Sequence, residues 1–311
     1  MSSQLPLVPA RRLIEAPRRR RTTRRNLVGW LFLAPAIALI GTLTIAPFGQ
    51  AILLSFQTWD GVSPETPWVG LANYEFISGD PVFWGSMRNV LVFGVVGFVF
   101  GNGIALAMAL AVNRVSRGRT FFRTVFYLPG VLSVVVVGVL FSSILAPRNG
   151  VLNGVLESVG LPGLQQNWLG DPAWALPSVA AVFIWFHWGF GFLLFLAGLQ
   201  DIPKELYEAA DLDGARNWTK FRYITWPQLA PVTTIVSLLT VLAALQIFGT
   251  VQVLTDGGPG YATMVPTLAI YNEAFANYRY GSAAAMSVIF GGALVILSLI
   301  QLGFASRRSR A

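Results

Sequence analysis

ELYEAADLDGARNWTKFRYITWP, residues 205–227, is a polar, charged island between two long apolar stretches, 172–200 and 229–255. Its local grammar predicts two short helices joined at a fixed bend. Asp201 is placed to cap a helix that Pro203 begins, because proline is tolerated where no intrahelical N–H bond is lost. Gly214 fits the left-handed position that stops a helix. Asn217 is placed to cap the second helix, and Pro227 keeps that helix from running unbroken into the next apolar stretch. Two short helices held by spans on either side make a rigid handle, suited to a partner protein that pushes.

The flanking stretches are two of six that contain no Asp, Glu, Lys or Arg: 26–59, 89–113, 124–147, 172–200, 229–255 and 280–306. Each exceeds the roughly 20 apolar residues needed to cross a hydrocarbon core. The 311 residues are 54% hydrophobic and 12% charged, and the mean hydropathy of +0.61 is foreign to an ordinary soluble domain. The expected fold is all-α, a multi-pass membrane bundle of six transmembrane helices. One membrane domain, 27–306, follows a basic tail, 1–26, and precedes a second basic tail, 307–311. The connections at about 57–88, 147–172 and 256–280 read as outer loops, the last opening with Thr255-Asp256-Gly257-Gly258-Pro259-Gly260. No strand–turn–helix context makes those glycines a phosphate loop.

Charge sets the expected orientation. With the N-terminus inside, 19 of the 22 basic residues fall on one side, leaving only Arg88, Arg148 and Arg279 on the other. The positive-inside rule then makes both termini and the 201–228 loop cytoplasmic, in a cell (inner) membrane. The net charge of +8 therefore reads as topology rather than nucleic-acid binding. The RRRRTTRR tail, 18–25, is placed to meet anionic membrane lipid. Thr23-Arg24-Arg25 is faintly similar to a twin-arginine signal, but the long apolar run after it, without a clear cleavage site, reads as a retained first helix.

Several classes fall away on inspection of what the chain carries. All 14 acidic residues lie outside the apolar stretches, so no proton-relay carboxylate is placed in the membrane. The only lysines, Lys204 and Lys220, follow Pro203 and Thr219, so no Gly-Lys-Ser/Thr phosphate loop exists. No cysteine is present for thiol chemistry or metal ligation. The single histidine, His187, sits among Trp185, Phe186 and Trp188 with no carboxylate nearby in sequence, a poor start for a hydrolase. The reading is of a non-enzyme with no catalytic residue and no metal site. An ion-gradient-driven secondary carrier for a small polar solute remains as the alternative, and it leaves the handle unexplained.

Glu208-Ala209-Ala210, then Asp213-Gly214-Ala215, Phe221, Ile224 and Pro227 resemble the EAA loop of ATP-binding-cassette (ABC) importer permeases, with Trp226 where leucine is usual. Ser55, Phe56, Trp59 and Asp60, the Gly70-Leu71-Ala72-Asn73-Tyr74 loop and the Thr255-to-Pro259 turn are similar to MalF-type permeases of carbohydrate importers. The likeness runs from about residue 27 to 304. It implies the type I ABC importer permease fold, with 201–228 as the coupling loop and Glu208, Ala209, Ala210, Asp213, Gly214 and Ala215 at the joint with an ATPase. Glu208, with Lys204 and Arg216 near it, is expected to supply polar contacts there. The resemblance also implies partners: a second, MalG-like permease, two ABC ATPase subunits that bind ATP and Mg2+, and an extracytoplasmic solute-binding protein. No cofactor is expected in this chain itself, and the solute is expected to be a sugar.

Helical spacing sets Phe183, His187 and Phe190 on one face of the span before the handle. On the span after it, Thr240, Ala244 and Ile247 share a face, with Gln246 nearby. In the resembling family, substrate contacts come from these two helices. Aromatic faces stack on the C–H face of a sugar, and His, Gln and Thr bond hydroxyls. The same aromatics also fit plain helix packing.

Overall fold

The structure, a computed structural model, describes residues 19–115 and 117–308, with side chains described from Trp30 onward except at 302 and 304–308. The expected tail segments 1–18 and 309–311 lie outside the described residues. Two compact units, Met1–Ala51 and Ile52–Ala311, are distinguished. Helix α1 (Arg19–Ile40) passes through a π turn, Gly41–Ile45, into α2 (Ala46–Leu54), which belongs to the first unit as far as Ala51. From Trp30 to Leu54 this helix is apolar for 25 residues, enough to cross a bilayer.

The second unit holds the remaining spans. After α3 (Ala72–Ser78), helix α4 (Pro81–Val96) continues through a π turn, Gly97–Gly101, into α5 (Asn102–Arg114). This 34-residue helix begins well before the charge-free stretch at 89 and carries Arg88. Asp80-Pro81 explains the early start. The Asp80 carboxylate accepts from the Val82 N–H at 2.8 Å, and Pro81 takes the first helical position, where its missing N–H costs nothing. Asp171-Pro172 repeats the device for α9 (Pro172–Gln200), with the Ala173 N–H 2.8 Å from the Asp171 carboxylate. Between them lie α6 (Arg119–Tyr127), a 3-10 turn at Leu128–Val131, α7 (Val134–Ile144) and α8 (Val151–Ser158). The loop around α8 is organised by Asn153. Its amide donates to the Pro147 and Gln166 carbonyls, and its oxygen accepts from the Trp168 indole at 2.8 Å.

Beyond α9 come α10 (Lys204–Leu212), α11 (Asn217–Lys220), a π turn at Phe221–Thr225, α12 (Trp226–Gln228) and α13 (Ala230–Leu245). Helices α14 (Gly249–Leu254), α15 (Pro266–Tyr271) and α16 (Tyr280–Arg308) complete the chain. Among the described residues four helices are long and apolar enough to cross a membrane, and two bent pairs raise the total to six if each pair is one span. The stretch at 124–147 bends by 96° between the 3-10 turn and α7, and α12 meets α13 at 66°.

In a bilayer, helix faces gain little from leaving lipid, so close packing has to hold the bundle. Accordingly α5 runs along α9, α4 against α13 and α7 against α14. Phe93 of α4 meets Phe183 of α9 edge to face, centroids 5.8 Å apart, a geometry worth about 0.5–1.5 kcal/mol beyond contact area. The middle of the 256–280 connection packs into the bundle, while its ends are exposed. Thr263, Met264, Val265, Leu268 and Glu273 are buried. The Asn89 amide of α4 donates to the Ala262 and Met264 carbonyls at 3.0 and 2.9 Å, satisfying backbone that would otherwise be stranded. Glu273, in the 256–280 connection, is buried and paired with Arg279 at 3.3 Å and the Asn277 amide at 2.8 Å.

Candidate functional site

The handle forms as two helices with a defined stop. In α10 the Ala215 N–H donates back to the Ala210 carbonyl at 2.8 Å, and the Gly214 N–H to the Asp211 carbonyl at 3.1 Å. This pair of bonds is a Schellman motif, and it requires Gly214 to be left-handed, as its φ of +73° is. Two expected caps are corrected. Asp201 ends α9, its N–H bonding the Ala197 carbonyl, and the residue preceding α10 is Pro203. Pro203, with ψ of 131°, is the residue that leaves helical dihedrals before α10, and Asp201 stands two residues too far back to cap. Asn217 is the first residue inside α11, because Arg216 is the extended one, with ψ of 160°. The break after Pro227 falls two residues later, at Leu229, between Pro227 and Pro231.

One side of the handle is anchored. Ile202, Tyr207, Ile224 and Leu229 pack with Phe192, Phe195 and Leu196 of α9. The Tyr207 hydroxyl lies 2.9 Å from the Thr225 hydroxyl, and Lys220 pairs with Asp211 at 2.6 Å. The other side is open. Leu212 is 90% exposed, Trp218 is 71% exposed, and Glu208, Ala209 and Asp213 are exposed beside them. Among the described residues no ion pair joins Glu208 to Lys204 or Arg216. The handle therefore presents unengaged charge and an uncovered leucine outward from a fixed base.

The expected path residues divide. Phe183 is buried against the His187 ring, centroids 4.3 Å apart, and His187 Nδ1 lies 2.9 Å from the Phe183 carbonyl oxygen. A carbonyl only accepts, so Nδ1 carries a proton, and a neutral ring leaves Nε2 as an acceptor. Thr240 joins them around a cavity of about 20 Å³, which Asn102 and Trp188 also line. Phe190 and Gln246 do not line it and are exposed, and Gln246 follows the last residue of α13. Ala244 and Ile247 are buried in the core.

A profile of the family described as "Binding-protein-dependent transport system inner membrane component" matches residues 101–310. The chain belongs to that family. It is 37% identical over 282 residues to the probable ABC transporter permease protein YurN of Bacillus subtilis, covering 90% of this chain and 96% of that one. It is 34% identical over 284 residues to the lactose transport system permease protein LacF of Rhizobium radiobacter, covering 90% and 94%. Among solved structures, it matches a bacterial ABC transporter involved in the import of the acidic polysaccharide alginate, with a TM-score of 0.77 at 27% identity, covering 93% of this chain and 97% of that one. A bacterial alginate ABC transporter in complex with an alginate pentasaccharide-bound periplasmic protein gives a TM-score of 0.79 at 25% identity, over 94% and 98%. The likeness read from the 205–227 stretch and the outer motifs is thus a family membership, and the helical bundle is the ABC importer permease fold. Permease subunits of this family are not themselves catalytic.

Within this permease, Asn102 is the polar residue that sequence reasoning passed over. Its side-chain oxygen accepts from the Thr240 hydroxyl at 2.8 Å, while its Nδ2 and the Trp188 indole Nε1 are buried without an acceptor among the described residues. The signal was available: an amide in a charge-free span is as costly in lipid as His187 is. The π turn at 97–101, in which the Asn102 N–H reaches back to the Gly97 carbonyl, shifts the register of α5 where Asn102 begins it.

Proposed function

We propose that this chain is one transmembrane permease of an ATP-driven importer that takes a saccharide or related solute from an extracytoplasmic binding protein into the cytoplasm. On this reading the chain crosses six times, two of the spans bent, and the excess of basic residues on one side makes both termini and the 201–228 handle cytoplasmic. The assembly comprises this chain, a second MalG-like permease, two ABC ATPases that hold ATP and Mg2+, and the binding protein. The observation that carries the reading is the handle itself: a Schellman-stopped helix with Glu208 and Leu212 outward and Tyr207 and Ile224 fixed to the bundle. When the ATPase dimer closes, α10 moves as a lever and carries α9 and α13 with it. Ala209 and Ala210 admit close approach of the ATPase surface, Asp213 and Ala215 flank the stop, and Gly214 sets the bend. At the centre, Phe183, His187 and Thr240, with Asn102, offer an aromatic face and hydrogen-bonding groups to solute hydroxyls, while Phe190, exposed on α9, and Gln246, exposed just past α13, meet solute outside that cluster. Family membership supports this reading over a secondary carrier. Lactose, diacetylchitobiose and alginate in the names of some similar proteins support a saccharide, and sn-glycerol-3-phosphate in the names of others supports a related solute.

The test is to tag this chain, solubilise native membranes gently and identify what comes with it by mass. Co-purification of a Walker-type ATPase and a second permease, with uptake that requires both ATP and a binding protein, is the expected result. Reproducible purification of this chain alone, still transporting solute on reconstitution, overturns it.

A further inference from the structure

Behind the handle a cavity of about 480 Å³ separates the end of α5 from α10, α11 and the π turn after them. Its charge is one-sided. Arg114 and Lys220 line it, and no Asp or Glu does. Arg114 is exposed and has no ion pair among the described residues, while Lys220 has a single carboxylate partner, Asp211, outside the lining. Asn113 and Asn217 add side-chain amides that make no hydrogen bond among the described residues. Leu110, Leu199, Trp218 and Phe221 supply apolar wall, the last two rings stacked with centroids 5.6 Å apart. Glu208 and Leu212 of the outward face do not line the cavity; Trp218, exposed beside them, is shared between the two.

We propose that this cavity binds a phosphate-bearing anion, bridging Arg114 on α5 to Lys220 on the handle. Two cations and two amide donors match the several oxygens of a phosphate, since charge-assisted bonds to phosphate are the strong ones. The apolar wall takes the organic part of the same molecule. The cavity lies where α5 leaves its apolar span, so the phosphate comes either from the headgroup of an anionic lipid or from a soluble phosphate ester. Occupancy ties the handle to the end of α5, and its consequence for ATPase coupling rests on the lever reading above. Binding itself does not.

The test uses the whole importer in nanodiscs. Native mass spectrometry counts phosphatidylglycerol retained from mixed phosphatidylglycerol–phosphatidylcholine discs, and labelled inorganic phosphate is titrated in discs of phosphatidylcholine alone. Arg114→Gln is expected to weaken binding about fivefold, the effect of one basic residue at a membrane surface. Asn217→Asp, an acid that suits the first turn of a helix and so preserves folding, is expected to weaken it as well. Arg117→Gln, an exposed cation that does not line the cavity, leaves binding unchanged. Retained phosphatidylglycerol identifies the lipid as the source; saturable phosphate binding without it identifies a soluble ester. Neither ligand bound, or equal losses in R114Q and R117Q, overturns the proposal. Co-purification of the ATPases in the same preparation reports separately on the importer reading.

Discussion

The hydroxyls of Tyr207 and Thr225 lie 2.9 Å apart, joining the outward-facing helix α10 to the base of the next span. Thr225 also bonds the Lys220 carbonyl at 3.4 Å, so it retains a partner if Tyr207 loses its hydroxyl. Tyr207→Phe should therefore cost about 1 kcal/mol of local stability without unfolding the bundle. If α10 is a lever, the loss appears as slack. ATP hydrolysed per solute imported should rise while assembly is preserved. An unchanged ratio removes this bond from the coupling route.

Gly214 adopts φ of +73°, and nothing lies within 4 Å of where a Cβ would stand. Substitution is penalised by backbone conformation alone, roughly 1–2 kcal/mol for most residues and less for asparagine. Gly214→Glu should abolish uptake with the protein still inserted, and Gly214→Asn should retain most of it. Equal uptake in both variants would show that the bend is not required.

Gly189 is held by a different constraint. A Cβ there would stand 2.7 Å from the Phe126 carbonyl oxygen and 3.0 Å from the Tyr127 Cα, both backbone atoms that have no rotamer to yield. Gly189→Ala should destabilise the chain by about 1–3 kcal/mol, as overpacking does. The measurement is the amount of folded permease recovered from membranes, compared with Gly292→Ala, where nothing lies within 4 Å.

Asn102 accepts from Thr240, which has the Val236 carbonyl at 2.9 Å as a second acceptor. Asn102→Ala should thus leave the fold intact. If the centre meets solute hydroxyls, the KM for uptake should rise about fivefold, the equivalent of one hydrogen bond of about 1 kcal/mol. His187→Leu should act in the same direction. Unaltered uptake in both variants would reduce this cluster to packing.

Asp60 accepts from the Ser63 N–H at 2.7 Å, the Val62 N–H at 3.0 Å and the Ser63 hydroxyl at 2.7 Å. These bonds, the Ser63 N–H foremost, lower its pKa from 3.8 to about 2. A depressed carboxylate pKa adds stability that is complete above the unfolded value and is lost as pH falls through the folded one. The turn should therefore hold at pH 4 and loosen between about 4 and 2. The carboxyl carbon shift of labelled Asp60, assigned with Asp60→Asn, follows this directly; a midpoint near 3.8 would mean that the bonds do not form in solution.

The handle shows how far local rules reach. Gly214 was legible because only one conformation satisfies a helix stop followed by a second helix, and that constraint is carried within six residues. The caps at Asp201 and Asn217 were misplaced by one or two positions, because the residue that leaves helical dihedrals is set by Pro203 and Arg216 together with the packing of Ile202. Asp80-Pro81 and Asn102 carried signals that the charge-free boundaries at 89 and 113 obscured.

What the sequence determined by itself is what single residues and short windows cost in lipid: the apolar spans, the all-helical class, the polar handle between two of them, and the lack of a phosphate-loop lysine. Those quantities depend on composition and near neighbours. Tertiary structure alone decided that 124–147 bends by 96°, that Thr263, Met264 and Val265 are buried beside Asn89, and that Phe183, His187 and Thr240 meet Asn102 while Phe190 and Gln246 face away. These outcomes depend on which helix faces which. In a bilayer, where every face is apolar, hydropathy does not distinguish a face that meets protein from one that meets lipid.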